Sequence, residues 1–558
     1  MKVGVGSCLG ALTALALCFS SAAQARDNFI IVLADDLGVD KIGVYSRDDL
    51  YGHPGEGASP GPTPVIDQLA REGILFRNAY ANPVCSPTRA ATLTGRHGFR
   101  TGIGTPANAE LPLSEMILPE ILGATHRTAA IGKWHLGRQL EDHPNDSGFS
   151  RFIGTLTNID DYFSWPKTTD GVTVQGRNVY ATTDNVNDAI SVVSGFGEDP
   201  WFVWLAFNAP HTPFHAPPQE LHTFQLSGNP VNTAVDHYEA AVQALDTELG
   251  RLLDSIPGEV LADTTIIFVG DNGSPRRSVE APFDGQRAKG TVYEGGTNVP
   301  FIVVSPHIPA TRRGEESLAL VHVVDIHATV AEIAGVSSQG EDSVSLLPYL
   351  SDPTRSTLPV RPYVYSEQFS PNGEGPFNVE ERGIRDERYK LIWREGDYEE
   401  FFDLEEDPFE DDNLLGGALS AAEQASFDAL VASVDRLRNG GEVCVTGAES
   451  LCLQGDRFRV DIEWQTPAGD SGSGQAVPLT SDTGYFWFFS QANVEMVIKV
   501  LNGCSANDHF WVFAGGLTNV QVDITVTDTA TGQIRTYQNP LRTPFQPIQD
   551  TAAFGSCP

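Results

Sequence analysis

The residues with the clearest chemical potential lie between Cys85 and Arg96, in the run Cys-Ser-Pro-Thr-Arg-Ala-Ala-Thr-Leu-Thr-Gly-Arg. Pro87 and the alanine-rich stretch after it predict a helix that begins near Cys85 and ends at Gly95. A thiol at a helix N-terminus lies where the helix dipole and free N–H groups favour negative charge. Cys85 is therefore either a thiolate nucleophile of the Cys–His type or a buried structural cysteine.

Acidic and amide side chains follow two predicted strands at the point where each strand ends. Asp35 and Asp36 come directly after one apolar run. Asp271 and Asn272 come directly after another. Because ligands of open α/β sheets lie beyond the carboxyl ends of the strands, we expect these side chains to converge. Ligands that offer only oxygen suit a hard cation such as Ca²⁺.

Basic and imidazole groups follow two further apolar runs. Lys133 and His135 follow one of them, and His211 follows the other. A single strand that ends in polar residues means little, because most strands do. Four such strand ends together predict one site for a metal ion or an anion.

The helix that begins at Cys85 also carries a family signature. Cys-x-Pro-x-Arg followed by Leu-Thr-Gly-Arg is the hallmark of the sulfatase family, and the chain resembles sulfatases over about residues 27–440. The resemblance implies the alkaline phosphatase-like fold and a sulfuric ester hydrolase that acts on sulfated carbohydrates or aryl sulfates. The other matching blocks, in the family's order, are Asp35-Asp36, Gly132-Lys133-Trp134-His135-Leu136-Gly137, Ala209-Pro210-His211-Thr212-Pro213-Phe214, Gly270-Asp271-Asn272-Gly273 and Lys289-Gly290-Thr291-Val292-Tyr293-Glu294-Gly295-Gly296-Thr297.

The resemblance implies a covalent modification and a metal ion. In sulfatases a maturation enzyme oxidises the cysteine of this motif to Cα-formylglycine, which would be the fate of Cys85. The modified residue, Asp35, Asp36, Asp271 and Asn272 would together hold one Ca²⁺ per chain.

The resemblance also implies a role for each remaining residue. Arg89, Lys133 and Lys289 would bind the sulfuryl oxygens while one hydroxyl of the formylglycine hydrate attacks sulfur. His211, together with Lys289, would protonate the leaving oxygen. His135 would deprotonate the second hydroxyl, which expels sulfate and regenerates the aldehyde.

The elements that must position these groups alternate between strand and helix. Helical spacing follows Thr63 and recurs from Val235 to Ile256. Continuous apolar runs predict strands that are buried on both faces of a largely parallel sheet. This alternation indicates a doubly wound α/β fold, as the sulfatase resemblance does. The apolar runs occupy residues 29–34, 128–132, 201–207 and 265–270.

The remaining chain predicts two further units. After a catalytic domain over residues 26–355, short antiparallel strands and a helix over residues 421–437 indicate a small α+β subdomain at residues 356–440. Alternation of apolar and polar residues then predicts a separate all-β domain, a sandwich, over residues 441–558. Its aromatic segments form either the sandwich core or a glycan platform.

An export signal is predicted at the N-terminus. Lys2 precedes an apolar stretch, and small residues ending in Ala23-Gln24-Ala25 match a signal-peptidase site. We expect cleavage after Ala25, which removes a signal peptide of residues 1–25, and a periplasmic or extracellular protein. A membrane anchor is the alternative, but the apolar run is short for a span, and no later segment reaches that length.

Cysteine placement agrees with export. Loss of the signal peptide removes Cys8 and Cys18 from the seven cysteines and leaves Cys85 far from a C-terminal group of four. In an exported chain, the four predict two disulfides with three possible connectivities, and Cys85 is left unpaired. The C-terminal group is Cys444, Cys452, Cys504 and Cys557.

The charge balance excludes several classes of function. With 36 Lys+Arg against 73 Asp+Glu, the formal net charge is −37, which excludes general binding to nucleic acids or anionic membranes. An anionic substrate would need a local cluster of cations that overcomes this field.

Three other functions stay open at this level. One is the hydrolysis of phosphonate or phosphate esters, since related enzymes share the fold and the formylglycine. Another is a non-catalytic sulfated-glycan binder in which Cys85 stays unmodified. The third is a cysteine hydrolase that uses the Cys85 thiolate.

Overall fold

The computed structural model describes residues 27–45, 60–354, 360–394, 396–439, 444, 447–455, 457–507, 509–529 and 532–555. The predicted signal peptide, residues 1–25, lies outside the described residues. Most of the rest of the chain is described. Among the helices that the structure describes, none is both long enough and apolar enough to cross a membrane.

A mixed sheet of ten strands forms the centre of the catalytic region, in the order β10-β2-β9-β8-β1-β7-β3-β4-β5-β6. The central pairs are parallel, whereas β9 and β5 run antiparallel to their neighbours. The strands are β1 (Asn28–Ala34), β2 (Ile74–Tyr80), β3 (Arg127–Lys133), β4 (Arg151–Thr155), β5 (Trp165–Thr169), β6 (Val172–Arg177), β7 (Trp201–Ala206), β8 (Thr264–Gly270), β9 (Phe301–Val304) and β10 (Glu315–His322).

Helices cover both faces of this sheet. On β1, Phe29 and Leu33 belong to one apolar cluster, with α2, α4 and α10, while Ile30 and Val32 belong to another, with α1, α6 and α7. The helices here are α1 (Pro64–Glu72), α2 (Cys85–Thr94), α3 (Gly98–Thr101), α4 (Leu118–Leu122), α5 (His143–Asp146), α6 (Ala181–Phe196), α7 (Ala234–Ser255), α8 (Gly258–Ala262), α9 (Glu294–Thr297), α10 (Asp325–Ala334) and α11 (Leu347–Ser351). Burial on both faces explains why the strands have continuous apolar sequences.

A smaller antiparallel sheet follows, in the order β11-β12-β13-β14. One of its faces packs against a long helix through apolar residues such as Leu391, Phe401 and Leu430. Its elements are β11 (Val364–Ser370), β12 (Val379–Arg385), β13 (Tyr389–Arg394), β14 (Asp397–Asp403) and α12 (Ala421–Asn439).

The C-terminal region consists of two five-stranded antiparallel sheets around one apolar core. One sheet holds β15, β16, β17, β22 and β23, and the other holds β18, β19, β20, β21 and β24. The elements are β15 (Ser450–Leu453), β16 (Phe458–Gln465), β17 (Ser471–Ser473), β18 (Gln475–Thr480), β19 (Thr483–Trp487), β20 (Met496–Asn502), α13 (Cys504–Asn507), β21 (Phe510–Gly516), β22 (Gln521–Asp528), β23 (Gln533–Asn539) and β24 (Ile548–Phe554).

These four sheets confirm the predicted fold class, a doubly wound mixed sheet with an antiparallel subdomain and a separate all-β region. The predicted boundaries at 355/356 and 440/441 lie outside the described residues, so the domain division stays a prediction. In the aromatic segments, Phe486, Phe488 and Phe510 are buried in the sandwich core, whereas Phe489 is 54% exposed. Core packing therefore accounts for much of that aromatic content.

A disulfide joins Cys444 and Cys452. Cys504 is also disulfide-bonded, and Cys557 lies outside the described residues. Cys85 is a free, buried cysteine, as the odd number of cysteines predicts.

We expect Gly132→Ala to destabilise the catalytic region by about 2–4 kcal/mol, because it adds both a clash and left-handed strain. Gly132 has φ +90, and a Cβ there would lie 1.9 Å from the Ala206 carbonyl oxygen of β7. Calorimetric melting of the full chain measures the effect. Gly258→Ala is the control, since a Cβ at Gly258 meets no heavy atom within 4 Å. Equal melting temperatures for the two variants would show that β3 is free to move away from β7.

Candidate active site

Four strand ends and one helix N-terminus meet at one edge of the central sheet. Ala34 of β1 pairs with Gly270 of β8, so the residues after these strands emerge side by side. Backbone hydrogen bonds join these segments, since the Asp271 N–H donates to Ala34 O (3.0 Å) and the Asp35 N–H donates to Ala209 O (3.0 Å). The parallel register thereby brings chain segments that are distant in sequence to one place.

Cys85 begins α2 and is 1% exposed. Its Sγ lies 3.5 Å from Lys133 Nζ, 3.9 Å from Lys289 Nζ and 3.9 Å from Asp36 Oδ1. Burial raises the pKa of the Cys85 thiol to about 12, although both lysines oppose the shift. The thiol therefore stays protonated at neutral pH, which disfavours direct thiolate attack.

Two lysine–carboxylate pairs flank the cysteine. Lys133 Nζ lies 2.6 Å from Asp35 Oδ2, and Lys289 Nζ lies 2.5 Å from Asp36 Oδ1. Burial alone would raise the pKa of Asp35, but Lys133 and the neighbouring cations outweigh it and hold that pKa well below its usual range. Burial alone would lower the pKa of Lys289, but Asp36, Cys85 and Asp35 together outweigh it and raise that pKa. Asp35 and Lys289 are therefore ionised at neutral pH.

Arg89, on α2, hydrogen-bonds to residues at the carboxyl ends of two strands, β8 and β3. Its guanidinium donates two hydrogen bonds to Asp271 Oδ2, from Nε (3.2 Å) and from a terminal nitrogen (2.8 Å), and a third to Lys133 O (2.6 Å). Asp271 Oδ1 accepts from the Asp36 N–H (2.8 Å). Burial would lower the pKa of Arg89, but Asp271 and Asp35 more than offset it. Arg89 thus stays charged and holds Asp271 in a fixed orientation.

The oxygen atoms at this edge fit a hard cation. Asp35 Oδ1 and Asn272 Oδ1 are buried and accept no hydrogen bond from the described residues. Asn272 donates its amide N–H to Asp36 Oδ1 (2.9 Å), so its carbonyl oxygen remains available. Single ligand atoms of Asp35, Asp36, Cys85 and His211 lie within 4.8 Å of one another. Buried oxygens without donors are the ligands that Ca²⁺ or Mg²⁺ prefers.

The two histidines differ in surroundings. His211 Nδ1 lies 2.6 Å from Thr212 O, a pure acceptor, so Nδ1 carries a proton and Nε2 faces the site, 3.7 Å from Asp36 Oδ2. Burial lowers the pKa of His211, whereas Asp36 raises it. His135 is 8% exposed, and burial together with Lys133 lowers its pKa well below the usual value. His135 is therefore a neutral imidazole that can accept a proton.

The structure brings together the ten residues singled out in the sequence. Nine of them are linked by contacts of 3.9 Å or less. His135 stands apart from these contacts, and Ser86 Oγ holds its backbone by donating to His135 O (2.8 Å). The nine are Asp35, Asp36, Cys85, Arg89, Lys133, His211, Asp271, Asn272 and Lys289.

Sequence analysis missed residues that hold this arrangement. Tyr238 donates its hydroxyl hydrogen to Asp36 O, and Ser274 Oγ accepts from the Gly38 N–H (3.2 Å) and donates to Asp40 (2.7 Å). Tyr238 has the same helical spacing as the apolar face of α7, so periodicity alone does not distinguish it from a core residue. Ser274 directly follows the Gly270-Asp271-Asn272-Gly273 block, and that position was the available signal.

Comparisons with known proteins agree with this geometry. A family model described as sulfatase matches residues 27–336, and one described as N-sulphoglucosamine sulphohydrolase, C-terminal, matches residues 284–435. N-acetylgalactosamine-6-sulfatase from Sus scrofa is 30% identical in an alignment 379 residues long, which covers 61% of this chain and 68% of that protein. Arylsulfatase A from Homo sapiens is 29% identical over 506 residues, covering 79% of this chain and 94% of that protein.

A solved structure supports the fold. BT4656 in complex with its substrate D-glucosamine-2-N,6-O-disulfate matches with a TM-score of 0.60 and 21% identity, over 75% of this chain and 99% of that chain. At that identity the likeness concerns the fold alone.

Proposed function

Because the chain belongs to the sulfatase family of sulfuric ester hydrolases, we propose that it hydrolyses sulfate monoesters of carbohydrates through a formylglycine at position 85 and a bound divalent cation. The observation that carries this proposal is the placement of Cys85 Sγ between Lys133 and Lys289, at the edge where the acidic residues converge. A group at this position can attack sulfur while two ammonium groups bind the sulfuryl oxygens.

Residue 85 would supply the nucleophile. As a hydrated formylglycine it offers one hydroxyl whose oxygen attacks sulfur and keeps the sulfuryl group. Loss of the proton from the second hydroxyl then forms the aldehyde C=O, breaks the C–O bond to the sulfated oxygen and expels sulfate. The high pKa of the unmodified thiol favours this chemistry over the thiolate alternative. His135, which is neutral and largely buried, is the base that we propose for the second hydroxyl.

A divalent cation would be held by Asp35, Asp36, Asp271 and Asn272, where it would withdraw charge from the sulfuryl oxygens. The donor-free oxygens of Asp35 and Asn272 support this assignment. Oxygen ligands favour Ca²⁺, with Mg²⁺ as the competing ion.

The charge balance of the site favours an anionic substrate. Three cations, Arg89, Lys133 and Lys289, face the carboxyl groups of Asp35, Asp36 and Asp271. Burial and Asp35 raise the pKa of Asp271 to about 7, so the formal charge of the protein groups alone lies between zero and slightly positive at pH 7. A divalent cation makes the site positive, which opposes the net charge of −37 on the whole chain. Arg89 donates to Asp271 and to Lys133 O, so we propose that it orients both beside the sulfuryl group.

His211 is the acid that we propose for the leaving oxygen, with Lys289 beside it. The side chains of His211 and Lys289 are 12% and 21% exposed, whereas the carboxylates and Lys133 are at most 1% exposed. The leaving alcohol therefore lies toward the open side of the site. Burial lowers the pKa of His211 overall, and Asp36 opposes that shift by stabilising the protonated imidazole that a proton donor requires.

We further propose that the protein is exported and that a maturation enzyme modifies Cys85. The Cys444–Cys452 disulfide supports an oxidising compartment. Since the chain is a sulfuric ester hydrolase, the alternative of a non-catalytic glycan binder is no longer supported. Phosphate or phosphonate ester hydrolysis becomes an outcome of the activity test.

The proposal predicts a mass change at position 85. In protein from its natural host, the tryptic peptide with residue 85 should weigh about 18 Da less than the cysteine form, through loss of sulfur and two hydrogens and gain of oxygen. The same protein should hydrolyse 4-nitrophenyl sulfate faster than 4-nitrophenyl phosphate. A Cys85→Ala variant is the inactive control. Full activity with wholly unmodified Cys85 would contradict the mechanism, and faster phosphate hydrolysis would favour the phosphatase alternative.

The proposed metal site predicts both an activity effect and a stability effect. Chelation should abolish hydrolysis, and Ca²⁺ should restore it and raise the melting temperature, because an ion that binds only the folded state stabilises it. Asn272→Ala removes one ligand oxygen without leaving an unpaired buried charge, and should reduce the Ca²⁺-dependent rise in melting temperature. Asn232→Ala, at an exposed loop position, is the control. A Ca²⁺ response that is equal in both variants would argue against Asn272 as a ligand.

The acid role of His211 predicts a dependence on the leaving group. His211→Ala should slow hydrolysis of a sugar sulfate by about 100- to 10,000-fold. It should slow 4-nitrophenyl sulfate far less, because the phenolate leaves without a proton. The matched control is His307→Ala, which removes a half-exposed imidazole paired with Asp27. If both substrates slow equally, His211 contributes to binding or to the fold and not to proton transfer.

A further inference from the structure

A cavity of about 460 Å³ adjoins the candidate active site and shares His135 with it. Most of its polar lining comes from two loops, through Asn108 on one and through Arg138 and Gln139 on the other, and Thr157 adds a hydroxyl. The cavity therefore borders the site at His135, so a sugar whose ester oxygen lies at His211 and Lys289 has room there for the rest of its ring. Its lining has the mixture of hydroxyl, amide and guanidinium groups that binds sugars and their anionic substituents.

The backbone around this cavity is strained. Four of the nine described non-glycine residues with positive φ line the cavity. Residues that carry a side chain rarely adopt this backbone conformation. Such strain persists only where surrounding contacts enforce it, and it concentrates at binding sites. The four residues are Asn108 (φ 56), His135 (φ 61), Arg138 (φ 44) and Gln139 (φ 69).

Contacts between the two loops enforce this conformation. The Arg138 N–H donates to Ala109 O (2.9 Å), and the Leu111 N–H donates to Leu136 O (2.8 Å). The loop after β3 is thereby fixed to the loop before α4. This fixes the backbone position from which the Arg138 side chain extends at the cavity.

Arg138 carries the only full charge among the described residues that line the cavity. Its guanidinium donates to Asn108 O (3.2 Å) and lies 3.4 Å from Glu110 Oε2, with side-chain exposures of 56% for Arg138 and 42% for Glu110. An ion pair this exposed is weak, so an incoming anion can replace the carboxylate. By contrast, Lys133 is fully buried against Asp35, and a ligand outside the sulfuryl site cannot reach it.

We propose that the cavity binds the sugar that bears the scissile sulfate, and that Arg138 binds a second anionic substituent of that sugar, a sulfate or a carboxylate. The inference rests on the proposed sulfatase function and adds its substrate class, sugars with more than one negative charge. A guanidinium can bind either group through paired hydrogen bonds. Arg138 thus determines specificity and takes no part in bond cleavage.

The test compares sugars in matched pairs that differ by one anionic group. One pair is a hexose 6-sulfate and the corresponding 2,6-disulfate, and another is a hexose 2-sulfate and the corresponding uronic acid 2-sulfate. Their inhibition constants are measured against 4-nitrophenyl sulfate hydrolysis, and calorimetric titration on the inactive Cys85→Ala background measures the affinities without turnover. We expect the wild type to bind at least one doubly charged sugar about tenfold more tightly than its partner.

Arg138→Gln should bring that ratio close to one. Because the ratio compares two sugars within the same variant, it does not depend on the rate at which that variant hydrolyses 4-nitrophenyl sulfate. The control is Arg127→Gln, which removes an equally exposed arginine, 3.0 Å from Asp199, at the opposite end of β3. Glu110→Gln should increase the preference for the doubly charged sugar, because the guanidinium no longer has a competing carboxylate. A merely structural role for this pair would make both substitutions harmful.

Three results separate the possibilities. If no pair shows a preference, or if the preference survives Arg138→Gln, the inference is wrong and the sulfatase proposal is untouched. If the preference appears in calorimetry but 4-nitrophenyl sulfate is not hydrolysed, the cavity assignment holds and the proposed chemistry fails. If only the disulfate or only the uronic acid discriminates, Arg138 is assigned to sulfate or to carboxylate accordingly.

Discussion

Mutual neutralisation of buried charges is the constraint on which the site depends. Asp35, Asp271, Arg89 and Lys133 are at most 1% exposed, and an unpaired buried ion costs several kcal/mol even after the protein relaxes. Each charge therefore persists only because an opposite charge lies within hydrogen-bonding distance. Moving or removing one charged side chain leaves its partner buried and unpaired, so the network behaves as one rigid unit.

Sheet geometry makes this pairing possible. Parallel strands place their carboxyl ends at one edge, and the register of β1 with β8 aligns the two acidic segments that follow them. Close contacts maintain that alignment, since a Cβ on Gly132 or on Gly154 would lie 1.9 Å from the neighbouring strand's carbonyl oxygen. The strands around β3 are thus as close together as the backbone allows, and Lys133 at the end of β3 has little freedom. Tyr238, from α7, adds a further restraint on the Asp36 backbone.

Local sequence patterns were sufficient to predict many of the strands and helices that position these groups. Continuous apolar runs predicted β1, β3, β7 and β8 within a residue or two, because burial on both faces suppresses alternation. Pro87 and Gly95 likewise bounded α2 correctly. In the sandwich, alternation does occur, and Phe486 and Phe488 point inward for that reason. The chemical residues were identified by their motifs, whose spacing is local to each strand end.

Other features depend on contacts that no local pattern records. Ser274 and Tyr238 act through partners more than 200 residues away. Arg138 and Gln139 directly follow a motif block, but no local pattern records their positive φ or the hydrogen bond from the Arg138 N–H to Ala109 O in a separate loop. The motifs therefore supplied the candidate catalytic residues, whose roles stay proposals, and left the cavity beside His135 unassigned.

The molecule accordingly separates two requirements. The charges that we propose to act on the sulfuryl group are buried and mutually fixed, so a change among them affects both stability and the proposed chemistry. The cavity beside His135 is lined by exposed side chains on loops, where one weak surface ion pair sets the charge that a sugar encounters. Loop substitutions can alter that charge while the buried network stays intact, because the two share only His135. Substrate choice can thus vary in this fold at little cost to the reaction that it supports.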